Sequence, residues 1–208
     1  MSAPISPVLG VLGEELSGVL GALGSPVRLS LVLLVAQAPR TIEALAGLSG
    51  HSPALVSFHL KALRAAGILH ATKKGRELHH TLPPESARFI TATVAFVSAS
   101  SPRLREAVAE AEGSAPLTVP PPGAVVVDVR LAEEFRAGHR PGAIGAPLAE
   151  LAGIVVEAGA AVWCYGRGRF CPLPTRAVAI LRARGVDAHP WRAGVLEWLA
   201  AGEALAGA

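Results

Sequence analysis

The stretch His51–Leu82, HSPALVSFHLKALRAAGILHATKKGRELHHTL, decides the reading of the first half of the chain. Ser52-Pro53 opens a helix over Ala54–Ala66, and Gly67 closes it. Leu55, Val56, Leu60 and Leu63 are expected to face inward, with His51, Ser52, Ser57, His59 and Lys61 at the polar positions. Two strand-like runs follow, Ile68–Thr72 and Glu77–Leu82. They flank Lys73-Lys74-Gly75-Arg76, which reads as a hairpin with a basic tip.

Working back towards the N-terminus, Thr41 caps a short helix that turns Ile42, Leu45, Ala46 and Leu48 inward, and Gly50 breaks it. Ser25-Pro26 starts a helix over Val27–Ala36, which Pro39 ends. Val8–Leu23 carries apolar residues at helical spacing. Beyond the hairpin, Pro84–Glu112 reads as a longer helix, broken near Ser101-Pro102. Two short helices joined by a Gly-containing turn and followed by a hairpin is the winged helix-turn-helix order.

Charge is distributed to match. The 208-residue chain has a formal net charge of +3, too weak alone to imply nucleic acid. Between Ser25 and Leu82, however, seven bases (Arg28, Arg40, Lys61, Arg64, Lys73, Lys74, Arg76) face two acids, Glu43 and Glu77. Hydroxyl, imidazole and ammonium groups on the helix from Ser52 suit base edges in a major groove, and a basic hairpin suits phosphates. The bland alternative is a small helical bundle with a solvated basic loop.

Leu23-Gly24-Ser25-Pro26-Val27-Arg28-Leu29, Ser57-Phe58-His59-Leu60, Leu63-Arg64-Ala65-Ala66-Gly67 and Lys74-Gly75-Arg76 arrive in order, and together they resemble an ArsR-type winged-helix repressor. The resemblance implies a homodimer formed by the first and last helices, here with Leu9, Leu12, Leu16, Val94 and Phe96, on a double-stranded DNA operator. It implies DNA contacts by His51, Ser52, Ser57, His59, Lys61, Lys73, Lys74 and Arg76. No cysteine precedes position 164, so the thiolate metal site of many such repressors is absent; no metal and no cofactor is expected. Phe58 occupies a position often polar in that family, where it packs against a thymine methyl or is half-buried.

Gly113–Gly123, GSAPLTVPPPG, reads as a stiff linker between residues 1–112 and 124–208. After it, strand-like runs (Ala124–Val129, Ala160–Tyr165) alternate with helical ones (Glu133–Ala137, the start of a helix at Pro147–Leu151, Thr175–Arg184), and His189–Trp198 closes the chain. This alternation predicts an α/β fold with a parallel sheet. DVR, EEF, GHRPGA, PLAEL and GVLEW in this order resemble a rhodanese domain, hence a three-layer α/β fold. Rhodaneses carry sulfane sulfur on a cysteine directly after a central strand. In the matching loop, Tyr165-Gly166-Arg167-Gly168-Arg169-Phe170-Cys171, Gly166 stands where that nucleophile belongs, so ordinary sulfurtransferase turnover there is not expected. Cys171 matches the second cysteine of such loops and is the candidate reactive thiol; Cys164, inside an apolar strand, reads as structural. Arg167, Arg169 and Arg176 are candidate anion ligands, whereas Asp128, Arg130 and His139 read as loop-positioning and Trp191 and Trp198 as core.

The expected protein is thus a cytoplasmic, dimeric DNA-binding regulator, a repressor, with a rhodanese-like domain that senses sulfur species, redox state or an anion. Two other classes compete: a sulfurtransferase carrying persulfide on Cys171 or Cys164, which Gly166 argues against, and a scaffold that uses the winged helix for dimerisation only. No run of about 20 unbroken apolar residues suggests a membrane span.

Overall fold

The computed structural model describes residues 7–112, 119–157 and 159–207. Packing divides the chain into two compact units, Met1–Pro83 and Pro84–Ala208. Of the expected linker, only Val119–Gly123 lies within the described residues.

The first unit runs α1 (Pro7–Leu23), α2 (Pro26–Val35), α3 (Ile42–Ser49), α4 (Pro53–Ala65), β1 (His70–Lys74) and β2 (Glu77–Thr81). Three helices start on side-chain caps. Ser25 Oγ accepts from the Arg28 N–H at 3.5 Å, Thr41 Oγ1 from Ala44 at 3.2 Å and Ser52 Oγ from Leu55 at 3.3 Å. Each satisfies a donor the helix itself cannot, typically a contribution of about 1 kcal/mol. Gly50 ends α3 in the left-handed region, φ +71°, which a side chain would disfavour. Leu31, Val32, Val35, Leu45, Val56, Leu60, Leu63, Ile68 and Leu69 form the buried core.

Two apolar positions depart from expectation. Leu55 is 40% exposed and Leu48 39% exposed. In α4 the buried positions 56, 60 and 63 share one arc; residue 55 lies about 100° from its neighbour round the helix and leaves that arc. The hairpin also differs. Its antiparallel register runs from His70↔Thr81 to Lys74↔Glu77, so Lys73 and Lys74 are strand residues and the tip is Gly75-Arg76 alone. Gly75 takes φ +61°, which a two-residue turn demands. At the other end of β2, Arg40 pairs with His80 as an isolated antiparallel bridge and ties the hairpin base to the segment before α3.

The second unit begins with α5 (Pro84–Ser100) and α6 (Pro102–Glu112). They are separate helices, as Ser101-Pro102 suggested; Ser101 Oγ accepts from the Leu104 N–H at 3.2 Å and caps α6. Then follow β3 (Val125–Asp128), α7 (Ala132–Ala137), β4 (Ile144–Gly145), β5 (Val162–Tyr165), α8 (Leu173–Ala183), β6 (Ala188–Pro190) and α9 (Val195–Ala201). The four strands form one parallel sheet in the order β4-β3-β5-β6. The helix expected from Pro147 is instead a turn and a short 3-10 segment, Leu151–Gly153.

Alternation along the central strands builds two cores. Val127, Val162 and Cys164 pack with Ala177, Val178 and Leu181 of α8 and with Leu151. Trp163 and Tyr165 cluster with Trp191, Val195 and Trp198 on the other face. Both faces of the sheet are therefore covered, which is why β3 and β5 are unbroken apolar runs until Asp128. Trp191 and Trp198 are core residues, as expected.

Candidate nucleic-acid interface and thiol loop

In the first unit the bases sort into two groups. Arg28 is spent on the chain itself: its Nε donates to the Ala22 carbonyl and its Nη2 to that of Gly21 at 2.7 Å, at the end of α1. Arg40 is buried, 4% exposed, with Nε donating to the Leu34 carbonyl at 3.4 Å. The other five, Lys61, Arg64, Lys73, Lys74 and Arg76, are exposed, and all lie on α4 or the hairpin. The basic excess of this region is thus presented by the helix and hairpin of the expected DNA interface.

The exposed residues of α4 form a stripe. Ala54, Ser57, Phe58, Lys61 and Ala65 recur at helical spacing on the side opposite Val56, Leu60 and Leu63. Arg64 flanks the stripe; sequence reasoning left it out of the contact set, although its i+3 spacing from Lys61 placed it there. Ser52 lends its hydroxyl to the helix cap, and His51 is half-exposed beside it. His59 falls on the flank nearer the core, with Nδ1 buried and its ring edge-on to Phe58 at 5.4 Å. The structure therefore brings Ser57, Lys61, Lys73, Lys74 and Arg76 to exposed positions and leaves His59 off the stripe. His79 pairs with Glu77 at 3.1 Å, and His80 is buried. Among the described residues no group of three or more His, Cys, Asp or Glu is placed to hold a metal ion.

In the second unit, residues 166–172 link β5 to α8. A Cβ on Gly166 would fall 2.7 Å from Cys171 Sγ and 3.1 Å from Pro174 Cδ. The space in which a residue-166 side chain would begin is filled by the thiol of Cys171, which would have to turn aside to admit one. Gly194 is held as tightly: a Cβ there would meet the Gly168 nitrogen at 2.5 Å and the Gly166 oxygen at 2.6 Å. Cys171 is partly exposed, with its N–H donating to the Gly168 carbonyl at 3.0 Å. Cys164 is fully buried; desolvation pushes its thiol up to about 12, so it stays protonated and inert at neutral pH. Both cysteines are free.

A buried carboxylate, Glu134, and a half-buried one, Glu197, underlie the arginine loop, and sequence reasoning did not foresee them. Arg167 Nε donates to Glu134 Oε1 at 3.0 Å, and Glu134 also accepts from the Leu131 N–H. Glu197 accepts from the Arg169 N–H at 3.1 Å and the Gly194 N–H at 2.9 Å. Burial raises the Glu197 pKa, and those hydrogen bonds oppose the rise. The signal available was the three-residue spacing Leu131/Glu134 and Gly194/Glu197 at two helix starts. Arg167 is thereby engaged in an ion pair, the Arg169 guanidinium lies over the Phe170 ring at 5.5 Å, and Arg176 is exposed on α8. Asp128 and Arg130 form a fully buried ion pair at 2.6 Å, and Arg130 Nη2 also donates to the Gly138 carbonyl at 2.7 Å. They hold the loop after β3, as their sequence context suggested. Tyr165 hydroxyl accepts from the Arg140 N–H at 3.1 Å, and His139 stacks on Phe135 at 3.8 Å.

Residues 25–71, from the start of α2 into β1, match the family described as bacterial regulatory protein, arsR family. The chain is 32% identical over 201 residues to the HTH-type transcriptional regulator Rv0324 of Mycobacterium tuberculosis, covering 91% of this chain and 89% of that one. It is 35% identical over 79 residues to the HTH-type transcriptional repressor SmtB of M. tuberculosis, 38% of this chain and 56% of that protein. Among solved structures, the homodimeric winged helix-turn-helix DNA-binding domain Mb0332 (fragment 1-100) of Mycobacterium bovis covers 49% of this chain and 94% of its own, at 25% identity and a TM-score of 0.43.

Proposed function

The chain belongs to the arsR family of bacterial helix-turn-helix transcriptional regulators, and from that premise we propose that it is a cytoplasmic repressor that binds a double-stranded operator as a homodimer. The observation that carries this reading is the sorting of charge: Arg28 and Arg40 are consumed within the unit, while Lys61, Arg64, Lys73, Lys74 and Arg76 remain exposed on α4 and the hairpin. In this reading Ser57 and Lys61 face the major groove, with His51 and Ser52 at its rim and His59 orienting the helix face through Phe58. Lys73, Lys74 and Arg76 neutralise phosphates. Of the expected dimer residues, Leu12 and Leu16 on α1 and Phe96 on α5 are exposed, joined by Val8, Val11, Leu20 and Val97; Val94 is half-buried, and the Leu9 side chain lies outside the described residues.

The second half, residues 124–208 beyond the 113–123 linker, is in this reading a rhodanese-like sensor domain with Cys171 as its reactive thiol. The contact between Cys171 Sγ and the Gly166 position favours this over turnover at residue 166, because the thiol fills the place where the missing side chain would start. The ion pair of Arg167 with Glu134 weakens the case for a free anion ligand and favours a sulfur or redox signal.

The test is fluorescence anisotropy with DNA from upstream of the gene, across a salt series and before and after polysulfide, with the mass of each cysteine-containing peptide followed in parallel. Salt-sensitive binding that is lost as one sulfur adds to Cys171 is the expected result. Binding indifferent to salt removes the DNA reading; tight binding with Cys171 unmodified removes the thiol-sensor reading.

A further inference from the structure

Phe58 is 66% exposed in the middle of α4. Folding of the unit does not account for it: Val56, Leu60 and Leu63 fill the core side, and a phenyl ring left in water forgoes its burial energy. Its surroundings are specific. Ala54 lies one turn before it, Lys61 nearly one turn after it and Ser57 beside it, all exposed, with Leu55 40% exposed on its flank. The result is a small apolar patch, Ala54, Leu55 and Phe58, within a face otherwise built of a hydroxyl and cations. The His59 ring, on the flank of α4 nearer the core, stands edge-on to Phe58 at 5.4 Å. Lys61 and Arg64 on the same helix, with Lys73, Lys74 and Arg76 exposed on the hairpin, give the two elements together a charge complementary to a polyanion.

We propose that Phe58 selects sequence, by packing on the C5 methyl of a thymine in the major groove. This rests on the DNA-binding reading above and adds to it a base and an atom. The major groove offers one apolar feature, the thymine methyl, and an aromatic ring is among the side chains that match it. Phe58 has no hydrogen-bonding group, so it cannot reward guanine, adenine or cytosine edges; its discrimination is for the methyl and against a wet, unpaired polar edge. Ser57 and Lys61, with donors and acceptors, read or anchor beside it.

The experiment uses the full chain and an operator selected by it from random DNA. Each thymine is replaced in turn by deoxyuridine, which removes one methyl and leaves every hydrogen-bonding group in place. For the natural chain, one thymine per half-site is expected to respond with about a fourfold loss of affinity, the value of one buried methyl. Phe58→Ala and Phe58→Ser should bind the thymine operator more weakly and be indifferent to deoxyuridine at that position, with an unchanged salt slope. Because Phe58 lies outside the core, both variants keep the fold, which circular dichroism checks. Salt-sensitive binding that is indifferent to deoxyuridine at every thymine overturns the role of Phe58 alone, as does an equal deoxyuridine penalty in Phe58→Ala. Absence of salt-sensitive binding to any DNA overturns the DNA reading and this proposal with it.

Discussion

Arg40 and His80 are joined three times: the Arg40 N–H donates to the His80 carbonyl at 3.0 Å, the His80 N–H donates to the Arg40 carbonyl at 2.8 Å, and His80 Nδ1 lies 3.2 Å from that same oxygen. Burial lowers the His80 pKa below its ordinary 6.5, a hydrogen bond to Arg40 partly opposes this, and the nearby Arg64 charge adds to it. The unfolded chain therefore takes up a proton at His80 below about pH 6.5 that the folded unit resists. Stability from this source is full above that pH and is lost as pH falls through the lowered folded value. His80→Asn should be less stable at pH 7.5 yet lose less on going to pH 5.5. Urea midpoints at the two pH values measure this, and equal acid sensitivity of both proteins contradicts it.

The division of the bases predicts unequal effects on DNA binding. Lys74→Ala should weaken binding to specific and random DNA alike and reduce the slope of log K against log salt by about 0.9, the loss of one phosphate contact. Arg28→Ala should leave that slope intact and act on stability, because its guanidinium is spent on the carbonyls of Gly21 and Ala22. A salt titration of both variants decides it; a reduced slope in Arg28→Ala refutes the assignment.

Cys164 and Cys171 should part in a labelling experiment. At pH 7.5 the Cys164 thiol, pushed up to about 12, is almost wholly protonated and shielded, whereas Cys171 is partly exposed. Iodoacetamide should modify Cys171 at least tenfold faster in the folded protein and both alike in urea. Peptide mass mapping over time gives the two rates, and matching native rates sink the distinction.

Glu197 predicts a pH effect of the opposite sign to His80. Burial raises its pKa above the ordinary 4.5, so the folded state binds this proton more tightly than the unfolded chain. Its contribution is full below about pH 4.5 and declines as pH rises through the raised value. Glu197→Gln keeps one acceptor for the Arg169 or Gly194 N–H and carries no charge. The stability gap between the natural chain and this variant should therefore narrow as pH rises from 4.5 to 7.5; a gap that widens excludes the assignment.

Local signals in the sequence were sufficient for most elements. Ser25, Thr41 and Ser52 mark three helix starts, and each hydroxyl caps its helix. Ser101-Pro102 marks the break between α5 and α6, and the apolar runs ending at Asp128 and Tyr165 are the paired central strands. What escaped depends on contacts distant in sequence or on the precise angle and register of an element. The Arg40–His80 bridge spans forty positions, and nothing local marks Arg40 as buried. Leu55 reads as core by composition, yet its angle on α4 turns it out. Lys73 and Lys74 resemble turn residues because of their charge, whereas the two-residue turn at Gly75-Arg76 draws them into β1. Glu134 and Glu197 were hidden for the same reason: a glutamate in a helical first turn is commonplace, and only the fold brings it against the loop of residues 166–172.

The close fit of Gly166 against Cys171 ties the fate of one position to that of the other. Any side chain added at position 166 meets a crowded site, since its Cβ would come within 2.7 Å of the Cys171 sulfur and 3.1 Å of Pro174 Cδ. A single loss of Cys171 leaves an unfilled space beside a glycine. The two positions are therefore coupled: a side chain at 166 is accommodated only where the Cys171 thiol turns aside or is replaced by a smaller group, and the cost of changing both should fall below the sum of the two single changes.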